Sequence, residues 1–255
     1  MNDLTLLSDA ARAAGDIAKH YFQKSPKAWD KGGTAGPVTE ADLEVDRMLS
    51  CDLCTARPSY GWLSEETEDS ADRLSNEHVF IVDPIDGTRA FIEGELHWAH
   101  SLAISRSGRI QTAVVYMPML ELMFTATNDG GAYLNGVRIM VSARSETQGA
   151  NILSSKANFQ KEFWPGGFPD LKRSFRSSLA YRLCLVANGE FDGMLTLRPT
   201  WEWDVAAGCL IVSEAGGLAT DQTGVKPVFN SKVGQLNGIV ASNSDIHFGL
   251  IAGLT

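Results

Sequence analysis

Apolar residues recur along the first part of the chain with the spacing of amphipathic helices, and then with that of strands. Residues 3–24 carry one apolar face at helical spacing, and Thr39 begins a second pattern of this kind. The intervening residues 25–38 are rich in Gly, Pro and Lys, which predicts a loop. Strand-like runs follow at Tyr60–Ser64, His78–Asp83, Ala99–Ser105, Ile110–Met117 and Leu122–Ala126. Turn signals occur at Gly108, Asn128–Gly131 and Asn135–Gly136.

From about residue 146 the pattern alternates between strand and helix, which favours an α/β layer arrangement. Strands are predicted at Asn151–Ser155, Phe191–Leu197 and Gly238–Ser242. Helices are predicted at Ser177–Asn188, at Asp204–Ala215 and at the C-terminus. Residues 157–175 have weak periodicity and are assigned to no element. We expect an N-terminal α+β subdomain, residues 1–145, and a C-terminal α/β subdomain, residues 146–255.

Composition and charge narrow the functional class. Hydrophobic residues make up 44% and charged residues 21% of the chain, which excludes disordered and fibrous classes. No apolar run approaches the roughly 18 residues that cross a bilayer, and the first residues lack a signal peptide's apolar core, so a soluble, cytoplasmic protein is expected. The formal charge of −9 argues against nonspecific binding to nucleic acids or anionic membranes. Cys51 and Cys54 form a CxxC without a second pair, which predicts two thiols near a helix end.

The most informative motif is VFIVDPIDGT, which ends at Thr88. An apolar strand runs directly into Asp83 and Asp86, which supply the hard oxygen ligands that Mg²⁺ prefers. Gly87 allows close backbone approach, so its amide and that of Thr88 are candidates to bind a phosphate if a helix begins there. The alternative is a pair of aspartates that only caps a turn.

Two further acidic segments occupy similar positions. Glu65 and Glu66 end another strand-like run, and adjacent carboxylates repel each other unless they are exposed or neutralised by a cation. Asp204 lies at a predicted helix start and is followed by small residues, which indicates tight packing beneath a site. The alternatives are a solvated loop for the glutamates and an ordinary helix cap for Asp204.

In this order the blocks resemble the signature of the inositol monophosphatase superfamily. The matching segments are Glu65-Glu66, Asp83-Pro-Ile-Asp-Gly-Thr88 with Phe91, Trp203-Asp-Val-Ala-Ala-Gly208 and Glu214-Ala-Gly-Gly217. The resemblance implies a layered αβαβα sandwich, intermediate between the α+β and α/β classes, with two subdomains that share an active-site cleft. Haloacid dehalogenase phosphatases are excluded, because their motif requires aspartate at the position of Pro84.

The same resemblance implies a metal-dependent phosphomonoesterase with two or three Mg²⁺ ions, for which Mn²⁺ can substitute. The positions that resemble metal ligands are Glu65, Asp83 and the Ile85 carbonyl for a first ion, and Asp83, Asp86 and Asp204 for a second. Glu65 also resembles a ligand, through waters, of a weaker third ion. Such ions neutralise the phosphoryl oxygens and activate a water molecule for direct attack on phosphorus.

Glu65, Thr88 and Asp42 match the catalytic set of the superfamily. Thr88 resembles the residue that orients the attacking water, with its hydroxyl paired to Asp42. Thr39-x-x-Asp42 is also a capping-box variant, so a purely structural role is the alternative. Lys31 matches a lysine on the loop that closes over the metals, and an exposed loop lysine is its alternative.

The substrate prediction rests on a departure from the inositol-specific pattern. That pattern places a glutamate seven residues before the metal-binding aspartate, whereas this chain has Leu197 there. Ser177-Ser178-Leu179 and Arg198-Pro-Thr look more like the bacterial 3′(2′),5′-bisphosphate nucleotidases, and Arg198 is a candidate contact for a second phosphate. We therefore expect 3′-phosphoadenosine 5′-phosphate as substrate, with inositol 1-phosphate and histidinol phosphate as alternatives. The resemblance also implies inhibition by Li⁺ and a homodimer, and a regulatory binding protein on the same fold is the alternative of another class.

Overall fold

Two helices begin the chain in the computed structural model, which describes residues 1–32, 36–167 and 169–255. Helix α1 spans Asp3–Tyr21, and the side chain of Asn2 caps it by accepting the backbone N–H of Thr5. Helix α2 spans Glu40–Ala56 and begins with the predicted capping box, in which Thr39 is the N-cap. Each helix turns one apolar face inward, as the sequence pattern predicts.

The prediction of a loop over residues 25–38 is wrong in part. Strands β1 (Ala28–Asp30) and β2 (Pro37–Thr39) pair antiparallel within it. All three residues of β1 are exposed, so no alternation of apolar and polar residues marked the strand in the sequence. Residues 33–35 of the predicted loop lie outside the described residues.

The larger sheet has seven strands in sequential order. They are β3 (Gly61–Ser64), β4 (His78–Asp86), β5 (Ala99–Arg106), β6 (Arg109–Met117), β7 (Leu122–Thr127), β8 (Gly131–Leu134) and β9 (Val137–Arg138). Strands β3 and β4 are parallel, and every other pair is antiparallel. The turn glycines Gly108 and Gly136 have φ of +82° and +81°, which glycine adopts without strain, so both predicted turns are confirmed. Strand β4 runs past the predicted Asp83 to Asp86, with a register shift between the two aspartates.

The smaller sheet has five strands, in the order β11-β10-β12-β16-β14. They are β10 (Ala150–Leu153), β11 (Leu171–Ser174), β12 (Gly193–Thr196), β14 (Leu218–Thr220) and β16 (Ile239–Ser242). A separate short pair joins β13 (Thr200–Trp201) to β15 (Gln235–Leu236). The unassigned residues 157–175 contain short 3₁₀ turns and the edge strand β11; Phe168 among them lies outside the described residues.

Four more helices complete the layers. They are the short α3 (Thr88–Ile92), α4 (Leu179–Ala187), α5 (Glu202–Glu214) and α6 (Ser244–Leu254). Helices α1 and α2 pack on one face of the seven-stranded sheet, α4 and α5 lie between the two sheets, and α6 covers the outer face of the five-stranded sheet. The order of layers is therefore α, β, α, β, α, which confirms the predicted fold.

The middle layer, formed by α4 and α5, is deeply buried. Every residue of α4 is buried, as expected for a helix that is covered on all sides. In α5, Gly208 lets α4 approach closely, since a Cβ atom there would lie 2.5 Å from the side chain of Leu183. The tight packing predicted from the small residues after Asp204 is confirmed.

The central core draws residues from both sides of residue 145, for example Phe124 and Val205. The division into subdomains stays a prediction, with the change of sheet falling between Arg138 and Ala150. All four cysteines carry free thiols, with Cys51 and Cys54 in the last turns of α2 as predicted. None of the helices in the described part of the chain is long and apolar enough to span a membrane.

Candidate active site

Three acidic side chains from different elements meet at one edge of the larger sheet. Strands β3 and β4 are parallel, with Ser64 opposite Val82, so the residues that follow them emerge side by side. Glu65 follows β3, and Asp83 lies near the end of β4. The third acid, Asp204, comes from the first turn of α5. One carboxylate oxygen from each of Glu65, Asp83 and Asp204 lies within 4.8 Å of the others.

The alternative of an N-cap role for Asp204 is wrong. Helix α5 begins at Glu202 with Trp201 as its N-cap, and no side chain makes a capping hydrogen bond there. Asp204 lies three residues inside the cap and lines the cleft beside the other acids. The sequence pattern placed the helix start two residues too late, because Glu202 and Trp203 give no apolar spacing of their own.

Asp86 lies beside these three acids, and hydrogen bonds from α4 hold its carboxylate in place. Its Oδ2 accepts hydrogen bonds from Ser178 Oγ and from the Ala180 backbone N–H, both at 2.6 Å. Both donors belong to the N-terminus of α4, so the helix orients the carboxylate toward the cleft. Ser178 is fully buried and also caps α4, which favours a supporting role over the substrate contact predicted from the sequence.

The acidic group is electrostatically strained. Burial, and then the charges of Glu65, Asp86 and Asp204, raise the pKa of Asp83 well above its usual value. Burial and the charges of Asp86 and Glu65 do the same to the pKa of Asp204. Burial raises the pKa of Asp86 to about 6, although its hydrogen bond from Ser178 opposes the shift. Carboxylates crowded in this way require a cation to ionise together near neutral pH.

The donor set fits a divalent metal. Asp83 Oδ1 is buried and has no hydrogen-bond partner among the described residues, so it is free to bind an ion. Carboxylate oxygens are hard ligands of the kind that Mg²⁺ binds. Ile85 lines the same cleft. These are the positions that the sequence predicts as ligands.

Lys31 projects into the acidic group. Its Nζ lies 2.8 Å from Glu65 Oε1 and 2.7 Å from Glu66 Oε1. Burial alone would lower the pKa of Lys31, but the charges and hydrogen bonds of the two glutamates raise it above its usual value. The alternative of an exposed loop lysine is therefore wrong. Burial, and then the charge of Glu65, raise the pKa of Glu66 to about 7 in spite of this contact.

Asp42 makes two kinds of contact at once. Its Oδ2 accepts hydrogen bonds from the Thr39 backbone N–H at 2.8 Å and from Thr39 Oγ1 at 2.5 Å. Its Oδ1 lies 3.3 Å from Thr88 Oγ1, the pairing that the sequence predicts. Thr88 Oγ1 also lies 3.1 Å from the Ile85 carbonyl. Burial raises the pKa of Asp42 to about 6 against the hydrogen bonds from Thr39. The two sequence-based interpretations of Asp42 are thus compatible.

Gly87 connects β4 to α3 with φ of +102°, a conformation that strains other residues. The helix begins at Thr88, as the phosphate-binding prediction requires. A Cβ at Gly87 would also lie 3.3 Å from the His97 carbonyl oxygen. Both the backbone conformation and the space around it therefore restrict this position to glycine.

A cleft of about 1110 Å³ is lined by Glu65, Asp83, Asp86, Gly87, Thr88 and Asp204. Three arginines from the C-terminal half of the chain, Arg176, Arg182 and Arg198, also line it and form its arginine side. Ser177 lines the same cleft, whereas Leu197 is buried in the core of the smaller sheet. Burial lowers the pKa of Arg182 only to about 10, so its side chain stays protonated.

Sequence reasoning missed Arg182 and the position of Trp201. Arg182 donates to the Arg176 carbonyl oxygen at 2.5 Å and lies 4.4 Å from the ring of Phe175. Trp201 lines the cleft and stacks on Trp203 with ring centroids 4.6 Å apart. The sequence signal for Arg182 was a single arginine within the otherwise apolar pattern of α4. That signal does not show where the side chain lies until the fold is known.

A comparison with models of known protein families shows which family the chain belongs to. The model of the inositol monophosphatase family matches residues 2–254. The chain belongs to the inositol monophosphatase family. It is therefore a metal-dependent phosphoric monoester hydrolase.

Relatives in this family cover nearly the whole chain. An inositol-1-monophosphatase of Rhizobium meliloti is 37% identical over 246 residues, which are 92% of this chain and 89% of that protein. The Nus factor SuhB of Salmonella typhimurium is 35% identical over 237 residues, 87% of this chain and 85% of that protein. Among solved structures, an IMPase of Thermotoga maritima matches with a TM-score of 0.86 at 28% identity, covering 100% of this chain and 97% of that one. The extragenic suppressor protein suhB of Bartonella henselae matches with a TM-score of 0.83 at 30% identity, covering 98% and 97%.

Proposed function

We propose that this chain is a Mg²⁺-dependent phosphomonoesterase that acts on a small metabolite by direct attack of water. The observation that carries the proposal is the convergence of Glu65, Asp83 and Asp204 within 4.8 Å, with Asp86 beside them. Asp83, which has an unpartnered oxygen, would help to hold the metal. Such ions supply positive charge to the phosphoryl oxygens and acidify a bound water molecule.

The residues of the chain have separate tasks in this scheme. When Thr88 Oγ1 donates its proton to Asp42, its lone pairs are free to accept a hydrogen bond from the attacking water. Asp42, with its pKa raised to about 6, is poised to take part in the proton transfer near neutral pH. The backbone amides of Gly87 and Thr88 would hold a phosphoryl oxygen. Lys31 would release Glu65 to a metal ion and bring positive charge to the cleft.

The arginine side of the cleft favours a substrate with a second anionic group. Arg182 and Arg198 both line the cleft and lie close enough for their charges to interact, and Arg182 also interacts with Asp86 and Asp204. Trp201 lines the same cleft and offers an aromatic face on which a planar base could stack. Leu197, at the position of the inositol-binding glutamate, is 5% exposed, and its side chain offers no hydrogen bond. We therefore propose 3′-phosphoadenosine 5′-phosphate as the substrate.

Two observations favour other candidates. The Rhizobium meliloti relative is named an inositol-1-monophosphatase, which favours inositol 1-phosphate. The Salmonella typhimurium relative is named a Nus factor, which favours a regulatory binding role that would accompany or replace catalysis. Inhibition by Li⁺, use of Mn²⁺, and a homodimeric state are further parts of the proposal.

The test is a phosphate-release assay with Mg²⁺ on 3′-phosphoadenosine 5′-phosphate, inositol 1-phosphate, histidinol phosphate and fructose 1,6-bisphosphate, repeated with Li⁺. We expect the highest kcat/KM with the nucleotide, because only this substrate pairs a second phosphate with a base. A clear preference for inositol 1-phosphate would contradict the interpretation of Leu197 and Arg198. Absence of Mg²⁺-dependent phosphate release from all four compounds would leave the regulatory role.

A further inference from the structure

A partly buried polar network lies between the two segments that carry Glu65 and Asp204. Its centre is the turn formed by Asn230 and Ser231, which neither ligand segment contains. Glu202, two residues before Asp204, approaches the turn from one side. Arg73, in a 3₁₀ helix spanning Ala71–Ser75, approaches it from the other side.

Glu202 fixes the turn through backbone N–H groups. It is fully buried, and its carboxylate accepts the N–H of Asn230 at 2.5 Å and the N–H of Ser231 at 2.9 Å. Its own N–H donates to the Gly234 carbonyl oxygen at 2.9 Å. The first turn of α5 is therefore tied to this loop at three points.

Arg73 holds the opposite side of the same turn. It is 2% exposed, and it donates to Asn230 Oδ1 at 2.6 Å and to the Ser231 carbonyl oxygen at 3.0 Å. It also pairs in bidentate fashion with Asp69, at 2.6 and 2.8 Å, in the segment that continues from Glu65. A fork of this kind fixes direction as well as distance.

We propose that Glu202 and Arg73 are positioning residues that set the separation of Glu65 and Asp204, and with it the affinity for the divalent ion. The inference rests on the metal-binding part of the proposed function. Glu202 acts on Asp204 through the first turn of α5, and Arg73 acts on Glu65 through Asp69. Neither side chain lines the cleft, so neither is a ligand itself.

The same helix supplies a matched control. Glu214, at the other end of α5, accepts the backbone N–H groups of Asp129 at 2.9 Å and Gly131 at 2.7 Å. It repeats the hydrogen bonding of Glu202, but it lies at the end of α5 far from Asp204 and holds the turn between β7 and β8. Glu214→Gln should therefore lower stability without changing metal binding.

The experiment measures Mn²⁺ binding to the whole chain by electron paramagnetic resonance, without substrate, for the wild type, E202Q, R73Q and E214Q. We expect the dissociation constant to rise about 10-fold or more in E202Q and R73Q, as for other residues that orient metal ligands. We expect it to stay within about twofold in E214Q. The apparent melting temperature of each variant shows that it is folded.

Because Glu202 and Arg73 carry opposite charges, the two variants distinguish a positioning role from a purely electrostatic effect on the metal ion. A field effect would weaken Mn²⁺ binding when Glu202 is neutralised and strengthen it when Arg73 is neutralised, whereas a positioning role predicts weakening in both. Tighter binding in R73Q, wild-type binding in E202Q, or an equal loss in E214Q would each overturn the proposal. Because no turnover is measured, a failure on every phosphate ester would refute the proposed function and leave this result readable.

Discussion

Asp42 combines a helix cap with a contact to Thr88, and asparagine separates the two roles. Asp42→Asn keeps an oxygen for Thr39 but loses the ability to accept a proton. We expect kcat to fall about 10²- to 10⁴-fold, the usual range for loss of general acid–base catalysis, while the fold is retained. Phosphate release at saturating Mg²⁺ measures kcat, and circular dichroism shows whether the fold is retained. Unchanged turnover would remove Asp42 from the mechanism.

Arg198 is exposed on the cleft wall, so its removal should leave the core undisturbed. We expect Arg198→Ala to raise KM for 3′-phosphoadenosine 5′-phosphate about 10-fold, because a charged hydrogen bond to the second phosphate is lost. KM for a substrate with one phosphate should change little. Steady-state kinetics on both substrates test this, and an equal change in the two KM values would place Arg198 outside the substrate site.

The acids of the site could be predicted from the sequence because the chemistry is local. Strand ends followed by Asp83 or Glu65 are visible in a linear pattern, and so is Gly87. The position of Arg182 could not be predicted in this way. The role of Arg182 depends on the fact that α4 borders the cleft, and the position of α4 is determined only by packing between distant segments.

At the scale of elements, the close contact of α4 and α5 is open to a direct test. Gly208→Ala places a Cβ 2.5 Å from Leu183, so the helices must separate or Leu183 must shift. We expect a loss of about 1–3 kcal/mol, the usual cost of overpacking a core. Chemical denaturation measures it. The double variant with Leu183→Ala should show a favourable coupling energy, because the clashing Cγ and Cδ1 atoms are removed and only the close contact with Cβ remains; purely additive losses would contradict the contact.

Regular helices and strands were predicted well, and the irregular stretches were not. The apolar spacing of α1 and the alternation along β6 reflect faces that are buried in the core. Strand β1 is exposed on both faces, and residues 157–175 fold through 3₁₀ turns and an edge strand, so neither buries a periodic face. Patterning alone therefore carries little information about them.

At the scale of the whole molecule, crowded acids couple stability to both pH and metal. The pKa values of Asp42 and Asp86 rise from 3.8 to about 6, and that of Glu66 rises from 4.5 to about 7. Raised values mean that the folded state binds protons more tightly than the unfolded chain does. This stabilisation of the metal-free protein is complete below about pH 4 and is lost as the pH rises through about 6 to 7.

We therefore expect Mg²⁺ to raise the melting temperature more at pH 8 than at pH 5, by a difference on the order of 5 °C. At pH 5 protons already relieve the repulsion and compete with the ion. Differential scanning calorimetry with Mg²⁺ or with a chelator at both pH values measures the shift. A stabilisation by Mg²⁺ that is independent of pH would contradict the electrostatic account of the site.

The helices α4 and α5 pack against one face of each sheet. If either sheet unfolded, its own apolar face and the helix surface that it covers would both be exposed to water, so the two halves should melt together. The cooperativity of unfolding would then come from this shared layer, and a single calorimetric transition is its signature.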